Sequence, residues 1–128
     1  MSNVVLDASA IMALLNQEPG GDQLTPDLIL RAACSTVNVA EVQGRLVNGG
    51  VPPDQAWLAV QNSVGEAIPF TSAHAKKAGD LITQTRPFGL SLGDLACLAL
   101  ALDLKAPVYT ADRSWKDLKI GVRIHLIR

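Results

Sequence analysis

Residues 91–103, SLGDLACLALALD, are the most apolar stretch of this chain. Leu92, Leu95, Leu98, Leu102, Ala96, Ala99 and Leu100 clothe almost every side of any helix made there, and a helix that is apolar all round has to be buried. Any fold containing it must cover it on several sides. Asp94 nevertheless stands in its first turn. Ser91 as N-cap with an acid three residues on is a common helix-start signature, the capping box. That accounts for the acid locally and leaves open what else it does.

Five segments read as strands: NVVLD (3–7), ACSTV (33–37), EAIPF (66–70), APVYT (106–110) and VRIHLI (122–127). Helical segments lie between them. SAIMALLN (9–16) follows the first strand, and Thr25-Pro26-Asp27 has the N-cap, first-turn proline and early acid of a short helix through Arg31. A helix is expected from about Asn38 to Asn48, stopped by Gly49-Gly50, and another from Pro52-Pro53-Asp54 to about Asn62. TSAHAKKAGDLITQT (71–85) reads as one helix, and Asp112 to Leu118 as a short one. Strands alternating with helices imply βαβ units and a mostly parallel sheet covered on both faces. The expectation is an α/β three-layer sandwich around a central, mostly parallel five-stranded sheet, one domain over 1–128.

Composition bounds the partners. A formal net charge of -1 argues against a broadly basic surface, so any nucleic-acid contact has to be local. With only 18% charged residues, more apolar surface is left for partners to cover, which points to oligomerisation. The first residues carry no basic run, and no apolar stretch approaches the roughly 20 residues of a membrane span. A cytoplasmic protein with no membrane contact is expected. Cys34 and Cys97 have no metal-like spacing and read as buried free thiols in a reducing compartment.

The acids carry the functional argument. In a parallel α/β sheet every strand-to-helix junction lies at the carboxyl edge, where ligands usually bind. Asp7 closes strand one, and Glu41 falls in the first turn of the helix after strand two. Asp112 follows strand four directly. Asp94 opens the helix that runs back into strand four, so it lies at the same edge, provided the chain returns there after the third strand. The six residues from Thr85 to Leu90 span up to about 20 Å extended, enough for the trip. Each acid has a local explanation as well. Asn38-x-x-Glu41 is a second candidate capping box, Asp112 a candidate N-cap, and Asp7 a partner for backbone amides.

Those separate explanations do not account for four acids on one rim of a sparsely charged chain. Two carboxylates about 4 Å apart repel by something like 4 kcal/mol at an effective dielectric of 20. Helix N-termini offset only about 0.3–1 kcal/mol each. The acids therefore stay apart, protonate, or share a divalent cation. Oxygen-only ligands select a hard ion, Mg²⁺ or Mn²⁺, and such ions typically act on phosphates.

VVLDASAIMALL, NVAEV, SLGDLACLALAL and YTADRSW resemble, in order and spacing, the four acidic motifs of PIN-domain ribonucleases. The likeness is greatest to the VapC-type toxins of bacterial toxin–antitoxin pairs, and it runs from Val4 to Ile127. It implies a parallel five-stranded sheet flanked by helices. Asp7 and Asp94 match the acids that hold the metal most directly, Glu41 the glutamate that completes the site and orients the attacking water, and Asp112 the variable fourth acid. The implied metal ligands are thus Asp7, Asp94 and Asp112, for Mg²⁺ or Mn²⁺. Ser9 and Thr110 match small polar positions that hydrogen-bond the carboxylates or metal waters. The resemblance further implies hydrolysis of phosphodiester bonds in structured RNA such as tRNA or rRNA, a small cognate antitoxin protein that holds the activity in check, and a homodimer.

Other residues have weaker claims. Arg86, Arg113 and Lys116 flank the rim and are candidates for RNA phosphates, although solvated charge is the commoner fate. Arg45 stands four residues after Glu41, so a helix ion pair competes with a phosphate-binding role for it. His74 and His125 have no catalytic neighbour in sequence. Trp57 and Trp115 fit packing or interface roles better than base stacking, since only 4% of residues are aromatic. A phosphoacceptor receiver module, a Mg-binding signalling switch, is the main alternative. It needs an acidic pair at the end of strand one and a lysine after a late strand. Here Asp7 stands alone in VVLDAS, and Lys105 precedes strand four. A phosphatase of the haloacid-dehalogenase type needs an aspartate where Ser9 stands, and the intact acids argue against a PIN fold used only for binding.

Overall fold

The computed structural model describes residues 3–128. Its elements alternate as the hydrophobic pattern requires. Strand β1 (Val4–Leu6) leads into α1 (Ala8–Leu15), and α2 (Pro26–Leu30) precedes β2 (Ala32–Ser35). Helices α3 (Thr36–Asn48) and α4 (Pro53–Ser63) come before β3 (Glu66–Ile68). Then follow α5 (Ser72–Asp80), α6 (Ile82–Thr85), α7 (Leu92–Leu104), β4 (Val108–Thr110), a 3-10 turn (Arg113–Asp117) and β5 (Ile124–Leu126).

The five strands form one sheet in the order β3-β2-β1-β4-β5, and every pairing is parallel. Parallel central strands are covered on both faces and so read as continuous apolar runs. β1 and β2 are buried at every position, while the edge strands β3 and β5 are partly open. Alternation along each strand divides the interior into two cores. Val4, Leu6 and Cys34 pack with Ile11 of α1, Val42 of α3 and Val60 of α4. Val5 and Ala33 face the other way, toward Leu98 and Leu100 of α7, Ala78 of α5 and Trp115. The result is a three-layer α/β sandwich with an all-parallel sheet.

Helix α7 is the centre of the second layer. Every residue from Leu95 to Ala101 is buried, as its all-round apolar surface demands. Its first turn carries the capping box in full: Asp94 N–H donates to Ser91 Oγ at 3.2 Å, and Ser91 N–H donates to Asp94 Oδ2 at 3.0 Å.

Strands β3, β4 and β5 are shorter than the sequence expectation, and larger differences lie elsewhere. Strand β2 ends at Ser35, whose hydroxyl accepts from Val37 N–H and caps α3. Helix α3 therefore starts two residues before Asn38, so Asn38 caps nothing and Glu41 lies in the second turn. Short side chains such as serine compete well for a cap, and Ser35 stands nearest the strand end. The segment 71–85 is two helices that meet at Leu81, which is buried in the second core. The connection from Thr85 to Leu90 is wound into a 3-10 turn at Arg86–Phe88 instead of running extended.

Candidate active site at the carboxyl edge of the sheet

The chain leaves β1 in one direction toward β2 and β3 and later returns on its other side as β4 and β5. The carboxyl ends of β1 and β4 thus flank a topological switch point, the usual ligand crevice of an open parallel sheet. Asp7 follows β1 directly and lies in that crevice. It is 4% exposed, and its carboxylate takes four hydrogen bonds. Ala10 N–H donates to Oδ1 at 2.8 Å, which makes Asp7 the N-cap of α1. Ser9 Oγ donates to Oδ1 and Oδ2 at 2.8 and 2.9 Å. Thr110 Oγ1, at the end of β4, donates to Oδ2 at 2.6 Å across the switch point.

Ser9 and Thr110 are themselves held by the backbone. Ala111 N–H donates to Ser9 Oγ at 2.9 Å, and Asp112 N–H donates to Thr110 Oγ1 at 3.0 Å. With their lone pairs partly occupied, the two hydroxyls turn their protons toward Asp7. Even so, burial pushes the Asp7 carboxyl up to about 6, against the lowering effect of Thr110, Ala10 and Ser9, and the charge of Asp94 adds to the rise. The fold holds a carboxylate that it has not neutralised.

Glu41 and Asp94 approach from the neighbouring helices. The Asn38 Nδ2 donates both to Glu41 Oε1 at 2.8 Å and to the Gly93 carbonyl at 3.0 Å, so Glu41 is drawn onto the first turn of α7. Gly93 has no Cβ, and one built there would overlap the Glu41 carboxyl group. Asp94 is the next residue. Beneath this group lies the buried Cys97, whose thiol is pushed up first by burial and then by the charges of Asp7, Asp94 and Glu41 together. Cys34 is pushed up to about 12 by burial, with Asp7 and Glu41 contributing.

Asp112 is placed differently. Its backbone is tied to Thr110, but its exposed carboxylate accepts from Ser114 N–H at 3.0 Å and Ser114 Oγ at 2.7 Å, capping the 3-10 turn. Arg86 and Lys116 are exposed. Arg113 donates to the Arg128 carbonyl at 2.9 Å. No Arg45–Glu41 ion pair forms among the described residues; the Glu41 carboxylate accepts from Asn38 instead. His74 binds Asp103 at 2.9 Å between α5 and α7, and His125 stacks on Tyr109, so neither histidine joins the acids. Trp115 is fully buried, whereas Trp57 is 44% exposed on α4.

The chemistry of the donors suits a hard cation. Both thiols stay protonated, so oxygen is the only donor at hand. Asp94 Oδ1 and Glu41 Oε2 have no hydrogen-bond partner among the described residues. No three His, Cys, Asp or Glu side chains among those residues stand close enough to grip an ion unaided. Mg²⁺ keeps several waters and takes one or two carboxylates together with substrate phosphates, so two acids would be enough to hold it. Asp7 and Asp94 are the pair whose charges repel and which such an ion would hold together.

Sequence reasoning did not single out Asn38 or Gly93 at this site. Asn38 reads as a cap from its spacing to Glu41, and only its true place inside α3 reveals the second bond to α7. The available signal was a glycine in the first turn of an otherwise strong helix.

The chain matches no curated protein by sequence. Its fold is similar to that of a toxin-antitoxin complex from Klebsiella pneumoniae, with a TM-score of 0.75 at 15% identity over 98% of each chain. It is also similar to DNA-bound VapBC from Salmonella typhimurium, with a TM-score of 0.76 at 16% identity over 100% of each chain. VapBC2 from Rickettsia felis, bound to a promoter DNA fragment, gives 0.75 at 19% identity over 95% of this chain and 96% of that one. At these identities the likeness speaks for the fold. The sequence model of the PIN domain matches residues 4–121, and the chain belongs to the PIN domain family.

Proposed function

We propose that this protein is a Mg²⁺- or Mn²⁺-dependent endoribonuclease, the toxin of a toxin–antitoxin pair. The observation that carries the reading is the buried Asp7 at the switch point, its carboxylate fixed by Ala10, Ser9 and Thr110 and raised further by the charge of Asp94. Asp7 and Asp94 would hold the cation, and Asp112 would reach it by giving up its bond to Ser114. When bound, the cation supplies Lewis-acid polarisation of the phosphodiester and makes water a stronger acid. Ser9 and Thr110 keep both Asp7 oxygens oriented into the crevice. Glu41, held by Asn38 against Gly93, would complete the site and orient the attacking water. Exposed Arg86 and Lys116 are free to meet RNA phosphates.

The partners follow from the family and from the surface. The structural relatives are described as toxin–antitoxin complexes, some of them with DNA, and a small antitoxin protein is proposed here by analogy. Exposed Trp57, Leu58 and Val47 on α4 and α3 leave apolar surface for that partner or for a second copy in a homodimer. No helix among the described residues is long and apolar enough to cross a membrane.

Purified protein is expected to cut RNA when Mg²⁺ or Mn²⁺ is present and to stop in chelator. Asp94→Asn is expected to slow cutting on the order of 100-fold or more. Cutting that ignores the chelator, or an Asp94→Asn protein as fast as the parent, would overturn the assignment.

A further inference from the structure

Asn38 is 1% exposed, and its single Nδ2 donates in two directions, to Glu41 Oε1 and to the Gly93 carbonyl. A carboxamide is the side chain that offers two protons from one nitrogen. The same group therefore orients a carboxylate on α3 and anchors it to α7. Its own Oδ1 is buried and has no partner among the described residues. A residue kept only to join two helices would not carry that penalty, because an apolar side chain would join them without it. Gly93 makes the complementary argument. Glycine is a poor helix residue compared with alanine, yet it occupies the first turn of the most strongly helical segment in the chain. What it provides is room: the Glu41 carboxyl group fills the space a Cβ would take.

We propose that Asn38 and Gly93 are positioning residues for the nuclease reaction, which together fix the Glu41 carboxylate against the first turn of α7, beside Asp94. The inference rests on the nuclease reading and adds how Glu41 is held. A free glutamate side chain loses rotamer freedom when it is ordered. The Asn38 bond and the Gly93 hollow meet that cost in the folded protein, before substrate arrives.

The experiment measures Mn²⁺ affinity by calorimetry, RNA cleavage and melting temperature on the full chain. Gly93→Ala is expected to melt at or above the parent temperature, because alanine favours the helix. It is also expected to lose kcat about 10-fold with KM for RNA unchanged, while Mn²⁺, which Asp7 and Asp94 would hold, binds as in the parent. Asn38→Ala is expected to lower kcat similarly, and to cause no further loss when combined with Glu41→Ala. A Gly93→Ala protein that cuts RNA like the parent overturns the proposal. So does an Asn38→Ala effect that persists in full without Glu41. If Asn38→Ala does not fold, the Gly93→Ala result decides alone. A parent that binds no Mn²⁺ and cuts no RNA brings down the nuclease reading and this role with it, whereas an active parent with indifferent variants brings down only this role.

Discussion

Asp7 shows how far a fold can push one side chain. Its four hydrogen bonds lower the carboxyl's affinity for a proton, and burial outweighs them, leaving the group at about 6 from an ordinary value of 3.8. An acid raised in the folded state lends stability that is fully present below the unfolded value and is lost as pH rises through the folded one. The window is therefore about pH 4 to 6, and the loss amounts to about 3 kcal/mol for a shift of this size. Asp7→Asn removes the titration and keeps a good N-cap. In chelator, the stability of the variant relative to the parent is expected to rise by about that amount between pH 4 and 7.5. Urea unfolding at the two pH values checks it, and a constant difference would refute the burial account. Thr110→Val keeps the shape but removes the hydroxyl that donates to Asp7 and accepts from Asp112 N–H. It is expected to cost about 1–3 kcal/mol, because it strands buried partners.

At the scale of elements, α7 is the piece that carries both fold and site. Its capping box needs only Ser91 and Asp94, three residues apart, and this is why the short-range pattern in SLGD was enough to locate it. Ser91→Ala is expected to cost about 1 kcal/mol in thermal or urea unfolding. Leu98→Ala in the middle of the same helix is expected to cost about 2–5 kcal/mol, since Leu98 is fully buried and its loss leaves a cavity. The two effects separate what the cap contributes from what packing contributes. The start of α3 was harder to place. Ser35, Thr36 and Asn38 are all plausible caps by residue type, and the choice between them depends on where β2 stops pairing with β3, at Ser35 and Ile68. The break at Leu81 likewise has no proline or glycine pair to announce it; the burial of that leucine in the second core accompanies it.

Over the whole molecule, the order β3-β2-β1-β4-β5 is what puts Asp7 and Thr110, 103 residues apart in sequence, into one hydrogen bond. A cation that binds there only in the folded state stabilises the entire chain by mass action, about 2.7 kcal/mol at a concentration 100 times its dissociation constant. Mn²⁺ is thus expected to raise the melting temperature by several degrees in the parent and far less in Asp94→Asn. Equal shifts in the two proteins would place the ion elsewhere. The alternation of strands and helices, the burial of α7 and the place of Asp7 at the carboxyl end of β1 were all legible in the one-dimensional pattern. Periodicity, caps and the handed geometry of parallel sheets act over a few residues or follow from connection order alone. Only the tertiary structure decided that Asp112 turns to Ser114, that Glu41 answers to Asn38 instead of Arg45, and that Asp7 resists ionisation. Each of those outcomes is a competition among partners for one polar group, and burial and distance settle such a contest once distant segments have been packed side by side.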